Sequence, residues 1–156
     1  MRWTMRLAIV LWAISAVAVA SVVVPVSNVP ATAATTTGVL VARPAEVDFH
    51  TKRVGTENYK RTKITNTGDI PVRLLVTAGL PDDFGFGLLP GQTCPVFSPG
   101  ELLGAGESCY AVVRFTPSEF FVGWHAEGQV IATAYDPTTS VVIDQLTIPV
   151  FGEAVI

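Results

Sequence analysis

Alternation of apolar and polar side chains constrains this fold more than any other feature of the sequence. In the segment 109–115, CYAVVRF, every second residue is apolar, and the same period of two recurs in 62–65 and 72–76. Gly, Pro, Asn and Asp separate these runs, and little helical periodicity follows Gly38. The pattern predicts short strands, each with one buried face.

The spacing of these runs predicts an all-β protein: an immunoglobulin-like antiparallel β-sandwich of about seven strands. The predicted strands lie within 45–49, 58–65, 71–78, 108–116, 127–134 and 141–151, with a short edge strand near 95–98. The inward positions predict a core that includes Val47, Phe49, Ile64, Leu74, Val113, Phe115, Val130 and Ile148.

The N-terminal residues indicate export. Segment 7–26 is almost entirely apolar and follows Arg2 and Arg6, which is typical of a secretory signal peptide. We expect residues 1–33 to be this signal peptide. The alternative is an uncleaved signal anchor, because such an apolar stretch is long enough to span a bilayer.

The predicted domain organisation follows from this cleavage. Residues 34–41 form a flexible lead-in, and residues 42–154 form the domain. We expect the protein to be secreted, extracellular or in the cell envelope, with membrane attachment only if the first segment is uncleaved. No sorting motif or hydrophobic tail follows Phe151, which favours release.

The chain has two cysteines, Cys94 and Cys109. An even count in an exported chain favours a disulfide between them, in preference to reactive thiols or intermolecular pairing. The bridge would attach a long Gly- and Pro-rich connection, residues 80–106, to the start of the next strand.

Several motifs occur in a fixed order along the chain: VDFHTKRVGT at 47–56, ITNTGDIPVRL at 64–74, LLGAGESCYAVVRFTP at 102–117 and LTIPVFGEA at 146–154. This order resembles the choice-of-anchor D type domain of secreted bacterial proteins. It is also similar to the Hydin-type and major-sperm-protein-like immunoglobulin folds of ciliary and cytoskeletal proteins. The resemblance implies a binding or structural role without catalytic residues. His50 departs from the family pattern, because such domains commonly have Gly at this position.

The residues do not indicate an enzyme, a cofactor or a metal site. His50 and His125 are far apart in sequence and lack ligands at recognisable spacing, and there is no Gly-x-Ser-x-Gly element. Asp82 and Asp83 lie beside a Gly-rich segment that could bind calcium weakly, although a solvated loop is the preferred interpretation. After removal of residues 1–33, eight cations face thirteen acids, a net charge of −5 that gives no attraction for nucleic acid.

Two groups of residues are candidates for a binding surface. Segment 52–73 carries an excess of four positive charges, and Lys60, Arg61 and Lys63 are its candidate contact residues. The alternative is a solvated strand face on which lysines discourage edge pairing. Phe121 and Trp124 are the aromatic candidates in a predicted turn, where they either form an interface or close the end of the sandwich.

The sequence therefore predicts an exported, non-enzymatic binding or structural module that contacts another protein or an envelope component. The alternative is a cell-envelope adhesion module that binds an anionic polymer or lipid through segment 52–73.

Overall fold

The computed structural model describes residues 39–100 and 102–156. These residues form nine strands and one short 3₁₀ helix, Glu119–Phe121. The strands are β1 (Leu40–Arg43), β2 (Val47–Arg53), β3 (Asn58–Asn66), β4 (Val72–Gly79), β5 (Phe84–Phe86), β6 (Leu102–Leu103), β7 (Ser108–Phe115), β8 (His125–Tyr135) and β9 (Val142–Val155).

The strands form two sheets, which confirms the predicted immunoglobulin-like sandwich. The first sheet has the order β1-β3-β7-β5, and the second has the order β2-β9-β8-β4-β6. The pairs are antiparallel apart from β2 and β9, which run parallel, so the sandwich is not antiparallel throughout. The edge strand expected near 95–98 is wrong, because these residues form a loop. The additional short strands are β1, β5 and β6.

The core lies between the two sheets and contains every predicted core residue. Those eight side chains are at most 1% exposed. Phe49 packs against Phe84 and Phe115, with ring centroids 5.9 and 5.4 Å away. Gly152 gives Phe115 its space, because a Cβ there would lie 2.7 Å from the ring. The absence of a side chain at Gly152 of β9 therefore lets the Phe115 ring of the first sheet pack closely against the second sheet.

The predicted disulfide between Cys94 and Cys109 is confirmed, and both cysteines are buried. It attaches the edge loop, defined as residues 87–100, to β7. The loop also bonds to both sheets: the Cys94 N–H donates to the Tyr110 carbonyl of β7, and the Val76 N–H of β4 donates to the Pro95 carbonyl. The loop thus crosses from one sheet to the other along one side of the sandwich.

The predicted signal peptide and its cleavage site lie outside the described residues, as does most of the expected lead-in. Within residues 39–100 and 102–156, no helix has the length and apolar character needed to cross a membrane.

Candidate functional site

The aromatic turn, defined as Phe120, Phe121 and Trp124, projects from one end of the sandwich. It lies between β7 and β8, where the 3₁₀ helix reverses the chain. The Trp124 N–H donates to the Phe121 carbonyl at 2.9 Å, which fixes the turn. Phe120 is 91% exposed and Trp124 is 69% exposed, whereas Phe121 is half-buried. The turn therefore presents two large aromatic side chains to solvent.

A groove of about 510 Å³ lies beside this turn. Val54, Val122, Glu119 and Ile156 line it. The Val54 N–H donates to the Val155 carbonyl at 2.8 Å, so this wall of the groove is held by the end of β9. The groove is mainly apolar and open to solvent, and it can accept an apolar side chain from a partner.

The basic candidates separate onto two sides of β3. Thr62 and Ile64 are fully buried, so the alternate residues Arg61 and Lys63 point outward from the first sheet. Lys60 alternates with Arg61 and points the other way, where its ammonium donates to the Asp48 carbonyl of β2. Segment 52–73 thus does not present one basic surface, because charge counted along the sequence takes no account of strand faces.

His50 adopts a backbone conformation that is uncommon for a residue other than glycine. Its φ is +53°, the left-handed region that glycine enters without steric cost, and the register between β2 and β9 shifts here. Its N–H donates to Asp48 Oδ1 at 2.7 Å, and its Nδ1 lies 2.8 Å from Asp48 Oδ2. The backbone hydrogen bond from His50 is the main cause that lowers the pKa of the Asp48 carboxyl below its usual value. The contacts between Asp48 and His50 therefore stabilise the irregular part of β2.

The two histidines, distant in sequence, line the same shallow depression of about 240 Å³ with Asp48 and Glu153. Both imidazoles are largely exposed, and within residues 39–100 and 102–156 no group of three or more His, Cys, Asp or Glu side chains could hold a metal ion. The second ring, His125, stacks on Phe151 at a centroid distance of 5.6 Å. The depression therefore has charged walls without a preformed ligand set.

Asp83, considered as a weak calcium ligand, has a structural role. It is buried, its Oδ2 accepts the Ser118 N–H at 2.9 Å, and its carbonyl accepts the Thr116 N–H at 2.8 Å. These bonds connect the end of β7 to the loop before β5.

Comparison with known proteins supports the fold. No protein-family model and no curated protein sequence matches this chain. Among solved structures, the ASH / PapD-like domain of human CEP192 (PapD-like domain 7) has a TM-score of 0.52 and 12% identity, and the match covers 90% of this chain and 98% of that one.

Two Caenorhabditis elegans structures are similar in the same way. WR4, an MSP family member, has a TM-score of 0.50 and 8% identity, with 74% of this chain and 98% of that chain covered. SSP-19, an MSP-domain protein like family member, has a TM-score of 0.50 and 10% identity, with 73% and 99% covered. At these identities the likeness shows an MSP-like and PapD-like immunoglobulin fold.

Proposed function

We propose that this chain is an exported, non-enzymatic binding module that docks an apolar segment of another protein at the aromatic turn. The observation that carries the proposal is the exposure of Phe120 and Trp124, 91% and 69%, beside an apolar groove. Exposed aromatic side chains next to a concavity are typical of interfaces, because they bury large areas with few rotatable bonds.

Export is supported by the disulfide and by the apolar N-terminal segment of the sequence. Disulfides persist in oxidising compartments, and Cys94 and Cys109 are joined in a chain that begins with a signal-like sequence. We propose cleavage near residue 33 and a domain over residues 42–154 of the choice-of-anchor D type.

The absence of catalysis in this proposal rests on the site chemistry. A nucleophile requires a base and an orienting group within hydrogen-bond reach. Among the described residues, His50 bonds to Asp48, and His125 lies 3.7 Å from Glu127. Neither histidine of the described residues hydrogen-bonds to a serine hydroxyl, and both cysteines of the chain are in the disulfide.

The test is cross-linking and affinity capture of the purified domain with envelope and culture extracts of its host, at low and high salt. Parent protein is compared with a Phe120→Ser/Trp124→Ser variant. A matched control, Leu88→Ser/Phe97→Ser, removes two apolar side chains that are 83% and 77% exposed elsewhere on the surface. Captured species are identified by mass spectrometry.

We expect one partner to bind parent and control equally, to be retained at high salt, and to be lost from the aromatic-turn variant. Apolar contacts are insensitive to screening, which explains the retention. Equal capture by all three proteins, or loss from the Leu88/Phe97 control alone, would refute the aromatic turn as the docking site.

A further inference from the structure

The outer face of the first sheet collects cations from three neighbouring strands. Arg43 of β1 lies opposite Lys63 of β3, and Tyr59 of β3 lies opposite Arg114 of β7. Residues paired across a sheet project to the same side. The basic face is therefore defined as Arg43, Arg61, Lys63 and Arg114.

The charge of this face opposes that of the rest of the domain. It holds four of the eight cations in residues 39–156, a segment with thirteen acids. Glu57 contacts the face, with its Oε1 3.4 Å from Arg114 Nη1, and Glu46 and Asp48 line a depression beside it with Lys60 and Arg61. When Lys60 is counted with the four cations of the face, five cations against these three acids leave two excess positive charges, which attract an anion despite the net negative domain.

Aromatic side chains lie among these cations. The Arg61 guanidinium stacks over the Tyr110 ring, 4.7 Å from its centroid, and Tyr59 is 46% exposed. A shallow groove of about 210 Å³ runs beside them, with Tyr59, Arg61 and Pro90 in its walls. This combination offers an apolar ring surface and a cation to the same ligand.

We infer that the basic face binds a linear acidic polysaccharide. Neighbouring strands are about 4.8 Å apart and alternate residues on one strand about 7 Å, so the cations form a flat array with spacings suited to charges repeated along a polymer. The groove beside Tyr59 accepts a sugar ring against its apolar walls. An oxidising compartment, indicated by the disulfide, exposes the face to envelope polymers.

A lipid surface fits this face less well. Peripheral binding to bilayers combines basic charge with apolar side chains that enter the acyl region. On the described strands of this face, the one exposed aliphatic side chain is Val41 of β1, at 36%. The inference is independent of the aromatic turn, which lies on other residues.

The test is calorimetric titration of the folded domain with polygalacturonate at several salt concentrations. Arg43→Gln/Lys63→Gln removes two cations of the face. Lys52→Gln/Arg53→Gln is the matched control, because it makes the same charge change on β2 of the second sheet. We expect about tenfold weaker binding for the face variant, with about half the parent's salt dependence, and little change for the control.

Three further arms decide the ligand class. Tyr59→Ala should weaken polygalacturonate binding about threefold and leave binding of polyglutamate, a polyanion without sugar rings, unchanged. Equal affinity of parent protein for polyglutamate and polygalacturonate would overturn the polysaccharide assignment. Binding to phosphatidylglycerol vesicles without binding to polygalacturonate would overturn it as well. Equal losses of polygalacturonate affinity in the Arg43/Lys63 and Lys52/Arg53 variants would overturn the assignment to this face.

Discussion

The two long sides of the sandwich protect their strand edges by different means. On one side, the edge loop covers β7 of the first sheet and β4 of the second. Gln92 Oε1 accepts the Val112 N–H at 2.6 Å, and the Gly100 N–H donates to the Leu74 carbonyl at 3.1 Å. A disulfide holds this cover in place. Backbone groups that would otherwise template another chain are thereby satisfied.

The other side, bounded by β1 and β2, has no covering loop among the described residues. Side chains satisfy individual backbone groups instead. Lys60 donates to the Asp48 carbonyl, the Asp48 carboxylate accepts the His50 N–H, and Asp144 accepts the Leu40 N–H at 2.7 Å. The bulge near His50 also interrupts the edge of β2.

This difference shows that two levels of protection coexist in one small domain. The covered side depends on a covalent bond and on cooperative backbone pairing. Removing this cover should therefore lower the free energy of unfolding strongly and should promote self-association. The other side depends on separate contacts of exposed polar groups, each of which contributes little. The predictions below follow this order.

The largest effect should come from opening the covered side. In Cys94→Ser/Cys109→Ser, removal of a cross-link with a sequence separation of 15 residues should lower the free energy of unfolding by about 3 kcal/mol. Freed edges of β4 and β7 should also promote self-association. Urea unfolding and sedimentation velocity measure the two effects, and parent protein treated with reductant in urea serves as the control. A monomeric variant as stable as the parent would contradict the covering role.

Gln92→Ala tests the same side without changing the covalent structure. The Gln92 amide accepts from Val112 and donates to the Cys94 carbonyl at 2.9 Å, so its removal leaves two part-buried backbone groups without partners. We expect a loss of about 1–2 kcal/mol in urea unfolding. Gln129→Ala, at an exposed position on β8, is the matched control and should change stability by less than about 0.5 kcal/mol. Equal losses of stability in Gln92→Ala and Gln129→Ala would show that the hydrogen bond from Gln92 to β7 contributes no more than an exposed side chain does.

On the other side, His50 provides the next test. A β-branched residue is strained at the φ of +53° observed here, whereas glycine is not. His50→Val should therefore be less stable than His50→Gly by about 1 kcal/mol in urea unfolding. The same pair of substitutions at Thr77, a β4 strand position, is the control and should give the opposite order. A His50→Val variant as stable as His50→Gly would refute the left-handed conformation.

The sequence predicted those features that alternation and counting can determine. Buried positions such as Val113 follow from a period of two, and the disulfide follows from two cysteines in an exported chain. Lys60 was grouped with Arg61 because both lie in one basic segment, although they occupy opposite faces of β3. Arg43 and Arg114 were missed because the register of β1, β3 and β7 brings them to Lys63 and Tyr59, and register depends on tertiary packing.

Two other differences have the same origin. The segment near Pro95 was predicted as a strand but forms a loop, whose Pro95 carbonyl accepts the Val76 N–H without continuing as a strand ladder. The parallel pairing of β2 with β9 joins residues about 100 positions apart. Alternation identifies each strand as half-buried, but it carries no information on direction or neighbours.

The smallest predicted effect concerns Asp48 on the side without a covering loop. Its pKa is lowered, first by the His50 N–H and then by the charges of His50 and Lys60. A carboxyl with a lowered folded-state pKa stabilises the fold above its unfolded pKa, near 4, and this contribution is lost as pH falls through the lower folded value. Asp48→Ala should therefore cost less than about 1 kcal/mol at pH 7, because the group is partly exposed, and still less at pH 3.

Urea unfolding of parent and Asp48→Ala at pH 7 and pH 3 measures this difference, with Asp69→Ala in the exposed β3–β4 turn as the control. The gap between parent and Asp48→Ala should narrow towards pH 3, whereas the gap for Asp69→Ala should stay small at both values. A gap that widened in acid would mean that Asp48 is stabilised in its protonated form, in conflict with the bond from His50. A loss in Asp48→Ala larger than the loss in Gln92→Ala would reverse the order of the two sides. A single partly exposed carboxylate would then contribute more than a part-buried amide that pairs two backbone groups.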